Sequence, residues 1–184
     1  DDDDSTPTND AWVNDTFCLD WTSVTWVSPS ASIVATLSSL GFNLVDAPLL
    51  LSPLSVNGSQ FNSRIGGAAT STCTQDVSTS TTDSTGTWTG SSFSLTAPQL
   101  SASALGISVP IYGVTISGTI AGAGTTISQG ALSGVVDVSS VNTICSFIGC
   151  TGCPGGTGGT DCFALSVTNA TWNNVGSTPL IFVP

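Results

Sequence analysis

Apolar and polar residues alternate along much of this chain, most regularly in its second half. In VPIYGVTISGTIAG, Tyr112, Val114, Ile116 and Ile120 share one parity while Thr115, Ser117 and Thr119 share the other. Successive side chains of a strand point to opposite faces, so a period of two predicts a half-buried strand. GALSGVVDVSS repeats the pattern, with Leu132, Val136 and Val138 on one face and Ser133, Val135 and Asp137 on the other. The glycines of AGAGTTISQG, between the two, supply a turn, and the pair reads as a hairpin. CFALSVTNATW adds Phe163, Leu165 and Val167 on one face, and TPLIFVP, residues 178–184, reads as a short apolar strand bounded by prolines.

In the first half, DTFCLDWTSVTWVS (residues 15–28) reads as one long strand carrying Trp21 and Trp26. Residues 70–98 are dominated by Ser and Thr, yet Val77, Trp88, Phe93 and Leu95 recur among them, which favours exposed strands with a loop over a disordered tract. One helix is predicted, over SASIVATLSSLG, with Ser30 at its start and Gly41 just past its end. Elsewhere the usual helix formers Glu, Lys and Met are missing and Thr, Val, Ile and Ser prevail, which is strand composition. The expectation is a single all-β domain spanning 1–184, an antiparallel β-sandwich or flattened barrel of about eight to ten strands. It carries at most one short helix, and residues 1–16 are read as an N-terminal extension.

Charge narrows the function classes. The twelve acids are all Asp, and they face one cation, Arg64; there is no His and no Lys. A chain with one cation builds no basic patch for phosphate backbones or anionic membranes. Without His, neither a Ser-His-Asp nor a Cys-His arrangement is available, and without Lys no Schiff base. A non-enzyme that binds no nucleic acid is therefore expected. The net charge of −11 keeps copies soluble by mutual repulsion.

Six cysteines, an even number in a Ser/Thr/Gly-rich chain, point to an oxidising compartment. The opening DDDDSTPTND has neither the basic nor the apolar region of a signal peptide, so the chain reads as the mature form of an exported protein, extracellular or at the cell surface. No apolar run reaches the ~18 residues that span a bilayer. Four cysteines crowd into CSFIGCTGCPGGTGGTDC, residues 145–162. A zinc ribbon needs two paired-cysteine knuckles and only Cys150-x-x-Cys153 is present; a redox pair needs a helix N-terminus, and Pro154 follows instead. Disulfides are the preferred reading. Cys18 then pairs with Cys73, and the cluster closes as Cys145–Cys153 with Cys150–Cys162 or, by preference, as Cys145–Cys150 with Cys153–Cys162.

The stretch SGTIAGAGTTISQGALSGVVDVSSV, with its glycine-rich hairpin, GxLSGxxD segment and following cysteine cluster, resembles part of uncharacterised secreted β-domains of myxobacteria-like bacteria. The resemblance covers about residues 114–167. It implies an exported β-domain and no particular function.

Several residues qualify as candidate sites. Asp1, Asp2, Asp3 and Asp4, with Asp10, Asp15 and Asp20, are a candidate calcium cluster, since calcium takes several oxygen ligands, although no EF-hand loop is present. No cofactor besides calcium is expected. Asp46, Asp76, Asp83, Asp137 and Asp161 are conceivable glycosidase carboxylates, but no spacing selects a pair. The five tryptophans are candidate sugar platforms or interface anchors. Asn14, Asn57 and Asn169 begin N-x-S/T sequons. Two apolar segments near the ends, around Trp12, Trp21 and Trp26 and at Leu180, Ile181, Phe182 and Val183, suit strand donation to a neighbour's sheet edge. The leading expectation is a structural subunit that assembles with copies of itself into a filament or layer. The alternative is a secreted module that binds glycan or calcium.

Overall fold

The computed structural model describes residues 11–104, 107–121 and 123–184. Nine strands form one antiparallel sheet: β1 (Thr16–Asp20), β2 (Thr25–Ser28), β3 (Leu49–Asn57), β4 (Gln60–Gly67), β5 (Thr82–Thr89), β6 (Ser92–Ala104), β7 (Ile107–Ile120), β8 (Thr126–Asp137) and β9 (Cys162–Gly176). From β3 to β9 each strand pairs with the next. β1 then sits between β3 and β9 and closes an eight-stranded barrel, while β2 lies along the remaining length of β9. Of the two architectures expected, the barrel is the one formed.

The alternation explains which side is core. Phe17 and Leu19 of β1, Leu49 and Leu51 of β3, Phe61 and Ile65 of β4, and Leu132 and Val136 of β8 all point inward and are buried. On β9, Phe163, Leu165 and Val167 do the same, followed by Trp172, which is fully buried. Outward positions such as Thr85, Thr87, Ser94 and Thr96 are exposed and polar.

Four local readings change. Tyr112 is out of phase with Val114 and Ile116, because a bulge at Gly113 (φ +58°) shifts the register and turns Val109 and Ile111 inward instead. The expected strand 15–28 is broken by a turn after Asp20, whose carboxylate accepts bonds from the Thr22 N–H (2.9 Å) and hydroxyl (2.6 Å). The helix expected at 30–41 forms as α1 (Ala31–Ser39), but a second short helix, α2 (Cys145–Ile148), lies inside the cysteine cluster. The segment 177–184 belongs to no strand of the sheet.

The two barrel ends are built differently. One end carries the short β3–β4, β5–β6 and β7–β8 connections, closed by an aromatic cluster: Trp12 lies 5.3 Å from Trp88, and Phe61 lies 4.6 Å from Phe93. Residues 11–16 are thus part of the fold rather than an extension, with Trp12 buried and Thr16 opening β1. The opposite end carries the long connections and is plugged by Val34 and Leu37 of α1 together with Phe42 and Leu44. Between the plugs the described core side chains pack against one another. An apolar void of about 20 Å³, lined by Trp21, Phe42, Leu49, Ile111, Val136 and Leu165, holds one water at most.

Candidate functional site

The barrel's outer face across β1, β3, β4 and β5 holds the most built feature of the surface. Register sets two rows there. Ser52 faces Arg64 across β3 and β4, and Arg64 faces Asp83 across β4 and β5; the Thr16 hydroxyl meets Ser52 Oγ at 2.7 Å. These residues form a polar row. Two positions along each strand, the same face presents Cys18, Leu50, Gly66 and Thr81. Period-2 geometry puts both rows outside, so Leu50 and Cys18 would be exposed apolar groups if nothing covered them.

The C-terminal segment covers them. It leaves β9 after Gly176 and runs over this face, where Leu180 is buried against Cys18, Leu50 and Ala68. Gly66 lies beneath Leu180 and beside Thr81: a Cβ there would stand a tight 3.0 Å from Thr81 Cγ2 and an ordinary 3.8 Å from Leu180 Cδ1. Full burial of a leucine side chain contributes about 1.5–3 kcal/mol. The bonds that the segment's backbone makes come almost entirely from side chains. The Thr16 hydroxyl donates to Thr178 O (2.7 Å), Leu180 N–H donates to Ser52 Oγ (3.0 Å), and Arg64 Nη1 donates to Leu180 O (3.0 Å). The Gln75 amide closes a two-bond ring on Ile181, accepting from its N–H (2.8 Å) and donating to its C=O (2.7 Å). Val183 N–H donates to the Thr81 hydroxyl (2.9 Å), and Val183 O accepts from Thr81 N–H (2.9 Å).

Arg64 is the centre of this arrangement. Its Nε and Nη2 fork onto Asp83 at 2.6 and 2.8 Å, and its Cζ lies 5.2 Å from the centroid of the Phe182 ring. The hydrogen bonds that Arg64 donates to the Asp83 carboxylate raise the guanidinium pKa, ahead of the opposing effect of burial. The chain's one cation thus holds a carboxylate, a tail carbonyl and a tail aromatic ring together. The outward half of the tail stays uncovered: Ile181 is 66% and Phe182 53% exposed.

Three disulfides frame the surface. Cys18–Cys73 ties β1 to the loop that carries Gln75, and Cys145–Cys150 and Cys153–Cys162 close the cluster in the preferred pairing. Asp137, Cys153 and Cys162 approach one another within 4.8 Å, but both sulfurs are consumed in a disulfide and offer no thiolate to a metal. Asp137 instead accepts from the Ser139 N–H and hydroxyl, and Ser139 Oγ in turn accepts from the N–H groups of Thr160 and Asp161, fixing the glycine-rich loop.

The other candidates scatter. Asp1 to Asp4 and Asp10 lie outside the described residues. Asp15 accepts from Asn174, Asp46 from Asn43 and Ser71, and Asp76 from Ser78 and Ser103, so these carboxylates serve local turns and contacts. Bonds from Ser103 first, then Ser78, hold the Asp76 carboxyl below the usual aspartate value. Trp12, Trp21 and Trp172 are buried in the barrel's own core, which corrects the reading of Trp12 and Trp21 as interface or sugar-stacking groups. Trp21 spends its indole N–H on Ala47 O (3.0 Å) and stacks on half-buried Trp26 at 5.4 Å. The three sequon asparagines are exposed.

Leu180 to Val183 come together with Thr16, Ser52, Gln75 and Thr81, none of which had been singled out from the sequence. Arg64 alone had a signal there, as the only cation. No protein-family model matches the chain, and no curated protein and no solved structure matches it either.

Proposed function

We propose that this protein is a non-enzymatic, extracellular structural subunit that associates with copies of itself. The observation that carries this reading is the C-terminal segment, an apolar strap docked on the outside of its own barrel with Ile181 and Phe182 facing solvent. Adjacent exposed aromatic and aliphatic groups on one surface element suit a protein contact. Ligand-carrying barrels keep a cavity of several hundred Å³, whereas the interior void lined by described residues here is about 20 Å³, which supports the same reading. The described aspartates bond to turns, to side chains of neighbouring segments or to Arg64, and His and Lys are absent, which favours a structural role over catalysis. Three disulfides suit an oxidising exterior. Among the described residues no helix is long and apolar enough to cross a membrane. The polar outer positions of β5 and β6 are the reverse of the apolar band of a membrane barrel.

Sedimentation of the full chain over a concentration series, with negative-stain micrographs of the same samples, tests the proposal. Species heavier than the monomer, growing with concentration, are expected. A monomer throughout contradicts it.

A further inference from the structure

We propose that the outer face formed by Thr16, Ser52, Arg64, Gln75 and Thr81 is a recognition groove for an extended C-terminal segment, and that it also accepts Ser177–Pro184 of a second copy of this chain. The inference rests on the self-association proposed above and names the surface through which it runs. In the single chain the groove is filled by the chain's own segment. Another copy carries the identical segment, so every group that meets within one chain meets equally well between two, which is the basis of segment exchange.

The contacts favour a segment that docks and undocks. Among the described residues, one backbone–backbone bond holds it from Ser177 onward, Thr81 N–H to Val183 O; the other bonds to its backbone come from side chains. Pro179 and Pro184 have no N–H to give to a ladder, and residues 177–184 form no strand of the sheet. The exit from the barrel, Val175 to Thr178, is exposed throughout, and lifting the segment there uncovers no core residue of the barrel interior. Recognition is nevertheless specific. Leu180 is buried against Cys18, Leu50 and Ala68, Gln75 reads both backbone groups of Ile181, and Arg64 reads the Leu180 carbonyl and the Phe182 ring. A reciprocal exchange closes a pair, whereas a one-way exchange leaves each copy with a groove to fill and a segment to give, and so extends into a chain.

Two full-length variants test this by complementation. Leu180→Asp keeps the groove and spoils the segment; the double variant Arg64→Ala with Gln75→Ala keeps the segment and spoils the groove. Each alone is expected to run as a monomer in native mass spectrometry, and the mixture is expected to show a new species at the summed mass of the two. A mixture that remains monomeric, with both variants retaining their three disulfides and the near-UV signal of buried tryptophan, overturns the inference. Should the double variant fail to fold, a fluorescent peptide of residues 177–184 is titrated onto the Leu180→Asp chain. Saturable one-to-one binding that is lost when the peptide itself carries Leu180→Asp supports the groove; absence of binding overturns it. Wild-type assembly without heterodimer would sink the exchange and leave self-association standing. Heterodimer with a wild type that stays monomeric would support the groove and sink self-association.

Discussion

The two apolar segments near the chain ends look alike in sequence, yet the structure treats them in opposite ways. The first becomes β1, which is laddered on both edges, to β9 along its whole length and to β3 at Phe17 and Cys18, with Phe17 and Leu19 buried inside the barrel. The second lies outside, fastened by side chains and one buried leucine. Backbone pairing plus core burial makes a segment part of the cooperative unit; side-chain fastening makes an accessory that opens on its own. Of the two, the second has the side-chain fastening that the proposed exchange requires.

The contrast breaks first at the barrel. Phe17→Ala removes a fully buried ring from β1 and is expected to cost about 3–5 kcal/mol of global stability in chemical denaturation. The Cys18–Cys73 bridge spans 55 residues and comes next. Replacing both cysteines by serine is expected to cost about 4 kcal/mol by the chain-entropy model, against about 2 kcal/mol for Cys145–Cys150 with its separation of 5. Because Cys73 sits in the loop that carries Gln75, the first replacement also loosens the C-terminal segment, and the second leaves it docked.

The ladder and the strap differ again in how a buried leucine behaves. Leu180→Ala is expected to lower global stability by less than the 2–5 kcal/mol usual for a core leucine, because the strap detaches before the barrel melts. The Gln75 side-chain amide, bonded to Ile181 in the docked strap, is expected to show resonances closer to solvent values in this variant than in the wild type. Arg64→Lys, which keeps the charge and loses the fork, is expected to loosen the strap by about 1 kcal/mol with little change in the barrel's midpoint.

The smallest expected effect is acid sensitivity. Asp76, next to Gln75, has its pKa lowered by bonds from Ser103 and Ser78. A carboxyl lowered in the folded state contributes stability that is complete above its unfolded value, near 3.8, and is lost as pH falls through the lower folded value. Strap docking, followed by the same Gln75 resonances, should therefore hold constant on acidification until pH drops below about 3.8, then weaken.

The all-β character was legible because most strands obey one rule: the parity of Leu132, Val136 and Val138 or of Phe163, Leu165 and Val167 fixes a face without knowledge of neighbours, while sandwich and barrel stayed open. Tyr112 escaped that rule since a bulge at Gly113 is invisible to strict alternation. Closure by β1 was also hidden, because it depends on which strands β9 meets and not on β1's own pattern. The strap was half legible. Its apolar residues announced something to bury, but TPLIFVP reads equally well as a strand of its own sheet, a strand for another's, or a strap. The groove was not legible at all. Ser52, Gln75 and Thr81 are ordinary polar residues spread over thirty positions, and only sheet register and the loop tied by Cys18–Cys73 bring them under one peptide.

Native-state hydrogen exchange compares the two segments most directly. The amides of Ile181 and Val183, bonded to Gln75 and Thr81 side chains, are predicted to exchange through a local opening that costs less than global unfolding and is insensitive to low denaturant. Those of Phe17 and Leu19 are predicted to exchange only when the barrel unfolds. One shared opening free energy for all four amides, with one shared denaturant dependence, would show that strap and barrel are a single unit and would contradict the account.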